Sequence, residues 1–151
     1  MRKRKSYKLR GGIMENTSNT TLNAHYTKYK YQAKAFITDF DFDFIEGNII
    51  KYIARAEDKG EKEKDIRKAI DYLDSLQKIK TREPKDENNF KIRDFLTSLF
   101  VFADQFSQWQ EKAIIHAGLY ILTLSNYHLE QLKNILTTEL HGLHIEGVFS
   151  E

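Results

Sequence analysis

The chain has 151 residues and a mass of 17.8 kDa, enough for one domain of ordinary size or two small helical lobes sharing a core. Hydrophobic residues make up 40% and charged residues 30%, a globular balance, and no apolar run approaches the roughly 20 residues that a spanning helix needs. The absence of cysteine excludes disulfides, thiolate catalysis and cysteine-ligated zinc and fits a cytosolic setting, while one proline and seven glycines favour long helices over a loop-rich β design.

The net charge of +2 conceals an asymmetry. Arg2, Lys3, Arg4, Lys5, Lys8 and Arg10 precede Met14 with no acid among them, which leaves about −4 for 14–151. A short basic arm of this kind is more often solvated than bound to nucleic acid, and it lacks the apolar stretch of a signal peptide. Arg10-Gly11-Gly12-Ile13-Met14 is what a purine-rich ribosome-binding site and a start codon would encode if read through, so Met14 is the expected natural start. Residues 1–24 read as a disordered basic and polar arm, 25–80 as a helical module, 81–89 around Pro84 as a linker, 90–142 as a C-terminal helical segment and 143–151 as a tail.

Taken in chain order, 34–40 reads as a short helix, although the strict alternation of 38–44 also fits a strand; an isolated strand would have nothing to pair with. Residues 47–57 read as a helix with Ile49, Ile53 and Ala56 on one face. Residues 64–80 form the clearest helix, since Ile66, Ala69, Ile70, Leu73 and Leu76 recur at three- and four-residue spacing. A further helix spans 90–109, with a wide apolar arc from Ile92 through Phe95, Leu99, Phe102 and Phe106 to Trp109. Residues 112–124 are apolar almost all round, which puts that helix at the centre or at a subunit interface. The last helix covers 127–140 and closes at His141-Gly142. The expected fold is all-α, a small bundle of four to six helices, with a homo-oligomer through the apolar helices of 90–124 as one outcome.

On the 47–57 helix, Asn48, Lys51 and Arg55 fall within about 60° of one another, opposite Ile49 and Ile53. Arginine offers a fork for phosphate oxygens, lysine a point charge and asparagine a hydrogen-bonding edge for a base or sugar. Tyr52 borders this stripe, Lys59 extends it, and His25, Tyr26, Tyr29, Tyr31 and Gln32 lie just upstream. By spacing alone the stripe is a solvated face; its aromatic surroundings make it a candidate nucleotide pocket.

His25-Tyr26, Tyr31-Gln32, Phe44, the run Gly47-Asn48-Ile49-Ile50-Lys51-Tyr52-Ile53-Ala54-Arg55, Lys59, and Asp65-Ile66-Arg67-Lys68-Ala69-Ile70-Asp71-Tyr72-Leu73 together resemble a small phage family. It is called SaV-like or nucleotide-kinase-like and was long filed as a domain of unknown function. The resemblance covers about 55 residues, from His25 to Ile79, and does not reach 90–151. It implies a phage or prophage protein in the cytoplasm of a bacterial host, with deoxynucleoside monophosphate kinase activity and a nucleoside triphosphate as phosphate donor, with or without Mg²⁺. Carried over by position, the motif residues are His25, Tyr26, Gly47, Asn48, Lys51, Tyr52, Arg55, Lys59, Asp65, Lys68 and Tyr72. Lys51, Arg55 and Lys59 would hold phosphates, His25, Tyr26 and Asn48 would orient the nucleotide with Tyr52 beside it, and Asp65 would position Lys68 or a metal. Tyr52, Tyr72 and Gly47 also admit structural roles, Gly47 as the residue that opens its helix.

No P-loop is present: Gly60-Glu61-Lys62 lacks the first glycine and the hydroxyl, so transfer would have to rely on Lys51, Arg55, Lys59 and Lys68. An alternative is a MazG-like nucleoside triphosphate pyrophosphatase. Asp43-x-x-Glu46 and Asp71-x-x-Asp74 loosely match its paired carboxylates, which would hold Mg²⁺ and activate a water. Asp71, however, lies opposite the apolar face of its helix. A third reading is a phage protein that binds a nucleotide without turnover, or that inhibits a host protein. His116 reads as a core histidine, and His141-x-x-His144 as a poor ligand pair because Gly142 interrupts it. No membrane partner is expected.

Overall fold

The computed structural model describes residues 29–79, 81–86 and 90–149, with side chains as far as His144. Among the described residues the chain is all-helical, with no strand. Its helices are α1 (Ala33–Asp39), α2 (Phe44–Arg55), α3 (Lys62–Gln77), α4 (Ile92–Ala103), α5 (Gln108–Thr123) and α6 (Asn126–Phe149). None of them is long and apolar enough to cross a membrane. The arm of 1–24 and the expected start at Met14 lie outside the described residues.

Two antiparallel hairpins, α2/α3 and α5/α6, make up most of the molecule, and they face each other through α2 on α5 and α3 on α6. Helix α1 packs on α2 and α4, and α4 packs on α5. The aromatic half of the core sits where α1 meets α4. There Phe36 stacks on Phe102 at 4.7 Å and on Phe95 at 5.9 Å, with Tyr31 edge-on to Phe36 and Phe102. The aliphatic half runs between the hairpins, through Ile49, Ile53, Ile66, Leu73, Ile114, Ile121, Leu132 and Leu136, all fully buried. Much of the apolar arc of 90–124 is buried within the chain, through Phe95, Leu99, Phe102, Ile114, Ala117 and Ile121, while Ile92, Leu96, Phe106 and Trp109 stay only partly buried. Only Phe100 among the large apolar residues of α4 is exposed.

Local chemistry explains where the helices differ from the sequence expectations. The 38–44 alternation is not a strand. Asp41 turns the chain with φ 53°, and Asp43 caps α2: its carboxylate accepts from the Glu46 N–H at 2.8 Å while Glu46 accepts from the Asp43 N–H at 3.1 Å. This reciprocal capping box starts α2 three residues before Gly47. Gly47 therefore lies inside α2 rather than opening it, where a Cβ would stand 3.0 Å from Ile37.

The helix expected over 90–109 is two helices. The apolar arc continues through the break, but Ser107 restarts the chain with its N–H and hydroxyl both on the Gln110 side-chain oxygen. Gly118 lets α4 and α5 approach closely, since a Cβ there would come within 2.6 Å of Leu99. The last helix does not stop at His141-Gly142 but continues to Phe149, so the expected tail is helical over most of its length. Its C-terminal half is tied to α3 by Lys62–Glu139 at 3.1 Å and His144–Glu63 at 2.7 Å. The stretch read as a linker is also anchored: Arg82 pairs with buried Glu46 at 3.0 Å, and the Lys85 N–H donates to the Leu122 carbonyl at 2.9 Å.

Candidate functional site

Helices α2 and α3 meet antiparallel, and their outer seam carries the candidate residues. Along α2, Phe44, Asn48, Tyr52 and Arg55 follow at helical spacing with Lys51 beside them; Asp65, Lys68 and Tyr72 answer from α3. The Tyr52 ring is the centre. Arg55 lies 4.6 Å, Lys51 4.9 Å and Lys68 5.1 Å from its centroid, three cations on one buried tyrosine. Tyr72 stacks on Tyr52 at 5.9 Å with the planes 11° apart, and Phe44 meets Tyr72 edge-on at 5.8 Å.

One carboxylate belongs to the group. Arg55 donates from Nε to both oxygens of Asp65, at 3.1 and 3.2 Å, and from Nη2 to Oδ1 at 3.0 Å. Asp65 is 0% exposed and sits in the first turn of α3, where the helix dipole favours its charge. The carboxylate expected to position Lys68 or a metal is hydrogen-bonded to Arg55. Arg55 thus has a carboxylate partner in Asp65, whereas Lys51 and Lys68 have none among the described residues.

Beside the cluster is a shallow cleft walled by Tyr29, Gln32, Lys51, Arg55, Asp58 and Phe106, with an enclosed volume of about 30 Å³. That admits a water or two rather than a nucleoside. The Tyr29 hydroxyl donates to Asp58 at 2.9 Å, and its ring lies 4.5 Å from Phe106. A nucleotide would have to lie along the surface seam and dip only its phosphates or waters into this cleft.

The other candidates are dispersed. His25 and Tyr26 lie outside the described residues. Asn48 is buried, and its amide donates at 2.7 Å to the Phe44 carbonyl one turn back, so its nitrogen is engaged within α2. Lys59 is exposed in the turn after α2. The carboxylates proposed for Mg²⁺ do not converge: Asp43 and Glu46 form the capping box, Glu46 also pairs with Arg82, and Asp71 and Asp74 are exposed on α3. Among the described residues no three of His, Cys, Asp or Glu lie close enough to hold a metal ion. Asp43, Glu46, Asp71 and Asp74 thus form no metal-binding group among the described residues. His116 is not a core residue: it is half-buried on α5, with its Nδ1 3.0 Å from the Nδ1 of His128.

Gln110 was missed by sequence reasoning. Buried between α2 and α5, it donates to the Ile53 and Ala54 carbonyls at 2.8 and 3.1 Å and so closes the last turn of α2 beneath the cationic cluster. Its signal was the Ser107-x-x-Gln110 spacing of a capping box.

A protein-family model described as a protein of unknown function (DUF3310) matches residues 20–74. That stretch, about a third of the chain, is similar to the family. The match takes in α1, α2 and most of α3, hence the whole Tyr52 seam, and stops short of α4, α5 and α6. No curated protein and no solved structure matches.

Proposed function

We propose that this protein binds nucleoside phosphates on the Lys51–Arg55–Lys68 cluster, as a kinase-like protein without a P-loop. The observation that carries this reading is the charge arrangement around Tyr52. Two lysines with no carboxylate partner among the described residues are held near a guanidinium that has one. Like charges held this close repel, and a polyanion relieves the repulsion while accepting charge-assisted hydrogen bonds from all three. The resemblance to phage nucleotide-kinase-like proteins supports the choice of a nucleotide over other polyanions. In transfer, the cations would neutralise charge as the terminal phosphoryl group of a triphosphate passes to a monophosphate oxygen, yielding two diphosphates.

A second reading, binding without turnover, is favoured by a specific feature: Arg55 already donates three hydrogen bonds to Asp65, which leaves less of its fork for a phosphoryl group in transfer. Product analysis by ion-exchange chromatography separates the two. Protein incubated with each deoxynucleoside monophosphate and ATP is expected to form diphosphate only when both are present. Nucleotide binding without diphosphate would establish the second reading, and absence of binding would overturn both.

A further inference from the structure

The seam is not uniformly cationic. At one end, near the turn between α2 and α3, stand Arg55 and Asp65; in the middle, Lys51 and Lys68 flank Tyr52; at the other end the rings of Tyr72 and then Phe44 follow, with the buried Asn48 amide turned back on the Phe44 carbonyl. Phe44 occupies the first position of α2 and is 73% exposed, more than Phe100 or Tyr127, the other large exposed hydrophobics among the described residues. An isolated exposed ring needs no explanation. This one is not isolated: it continues a ladder of three rings whose inner member carries the cations. A helix rises about 1.5 Å per residue, so Phe44 and Lys51 are separated by about 10 Å along α2. A nucleoside triphosphate has the same polarity, an aromatic base at one end and multiple negative charges at the other, over a comparable span.

We infer that Phe44, backed by Tyr72, is a base-stacking subsite, so that the ligand is a free nucleotide lying along the α2–α3 seam with its base on Phe44 and its phosphates at Lys51 and Lys68. The inference rests on the phosphate-binding reading above and adds to it the class of ligand. Base–aromatic stacking is tolerant of base identity, because every base has a π-face. The site therefore reads the presence of a base more strongly than its type.

The test compares ATP with inorganic tripolyphosphate by isothermal titration calorimetry on the full chain. Tripolyphosphate carries at least as much negative charge, so electrostatics alone would not favour ATP. The wild type is expected to prefer ATP by about 5- to 100-fold, the range that stacking one base supplies, and Phe44→Ala is expected to bring that ratio close to one. Phe44→Trp is expected to keep the preference, and its added indole should be quenched by ATP but not by tripolyphosphate. Equal affinities in the wild type, or an ATP preference that survives Phe44→Ala, would overturn the subsite and leave the phosphate reading standing. Binding of neither ligand would overturn the phosphate reading and the subsite with it. A short single-stranded oligothymidylate that displaces ATP at lower concentration than ATP itself would overturn the assignment to a free nucleotide.

Discussion

At Tyr52, Lys51 and Lys68 keep their ammonium groups about 5 Å from an aromatic ring. Because neither closes an ion pair with a described residue, removing either charge should cost the fold little and the ligand much. Lys51→Ala and Lys68→Ala are each expected to weaken ATP binding about tenfold or more, with unfolding free energies within about 0.5 kcal/mol of wild type. Asp65 is the opposite case. It is fully buried against Arg55, so Asp65→Ala removes a buried carboxylate and its three hydrogen bonds to the guanidinium and should cost about 3–5 kcal/mol in urea denaturation. His116 gives the molecule a pH response. Burial, and then the neighbouring His128, lower its pKa below 6.5. The folded state therefore holds fewer protons than the unfolded one, so stability is complete above the unfolded pKa and declines as pH falls through about 6.5. The wild-type Tm should drop more between roughly pH 7 and pH 5 than that of His116→Asn.

At the scale of helices, periodicity carried the reading where one helix faces one core, as in α3, and failed at ends, where single residues decide. Asp43-x-x-Glu46 shows why. Two carboxylates three apart suit a metal or a capping box equally, and the spacing does not say whether backbone N–H groups or a cation will be nearest; here the first turn of α2 takes both. The 90–109 arc ran on because Phe106 packs on Phe102 across the break, at 5.0 Å, as though the helix had continued. Gly142 suggested a stop because glycine commonly ends helices, yet the contacts of α6 with α3 hold it helical. The two readings predict opposite signs for Gly142→Ala. A left-handed terminal glycine would lose stability on gaining a Cβ. Within a continuous helix with nothing within 4 Å of the new methyl, the substitution should add about 0.5–1 kcal/mol, measured by thermal or urea unfolding. Of the candidate site, Asn48, Lys51, Tyr52 and Arg55 were legible because they fall on one side of α2, whereas Lys68 and Tyr72, on α3, came only with the family resemblance. The Arg55–Asp65 pairing was not legible, since it depends on how α3 returns against α2.

Across the whole molecule, α1 packs on α4, α2 on α5 and α3 on α6. Gln110 fastens the central pair, and Gln110→Ala, which removes the side-chain donor shared by the Ile53 and Ala54 carbonyls, should cost about 1–3 kcal/mol and loosen the end of α2 that presents Arg55. Trp109, hydrogen-bonded to Glu57 at 2.7 Å and covered by Lys62, offers an intrinsic fluorescent report on that joint. The pairing of halves has a consequence for inheritance. Every residue of the cationic seam lies in the stretch similar to the DUF3310 family, yet the wall behind that stretch is supplied by the other half of the chain. The seam is therefore not portable. A protein carrying only the matched stretch would have to borrow its missing wall, and recombination that exchanged one half of this gene for an unrelated one would tend to scrap the site even with all its residues intact.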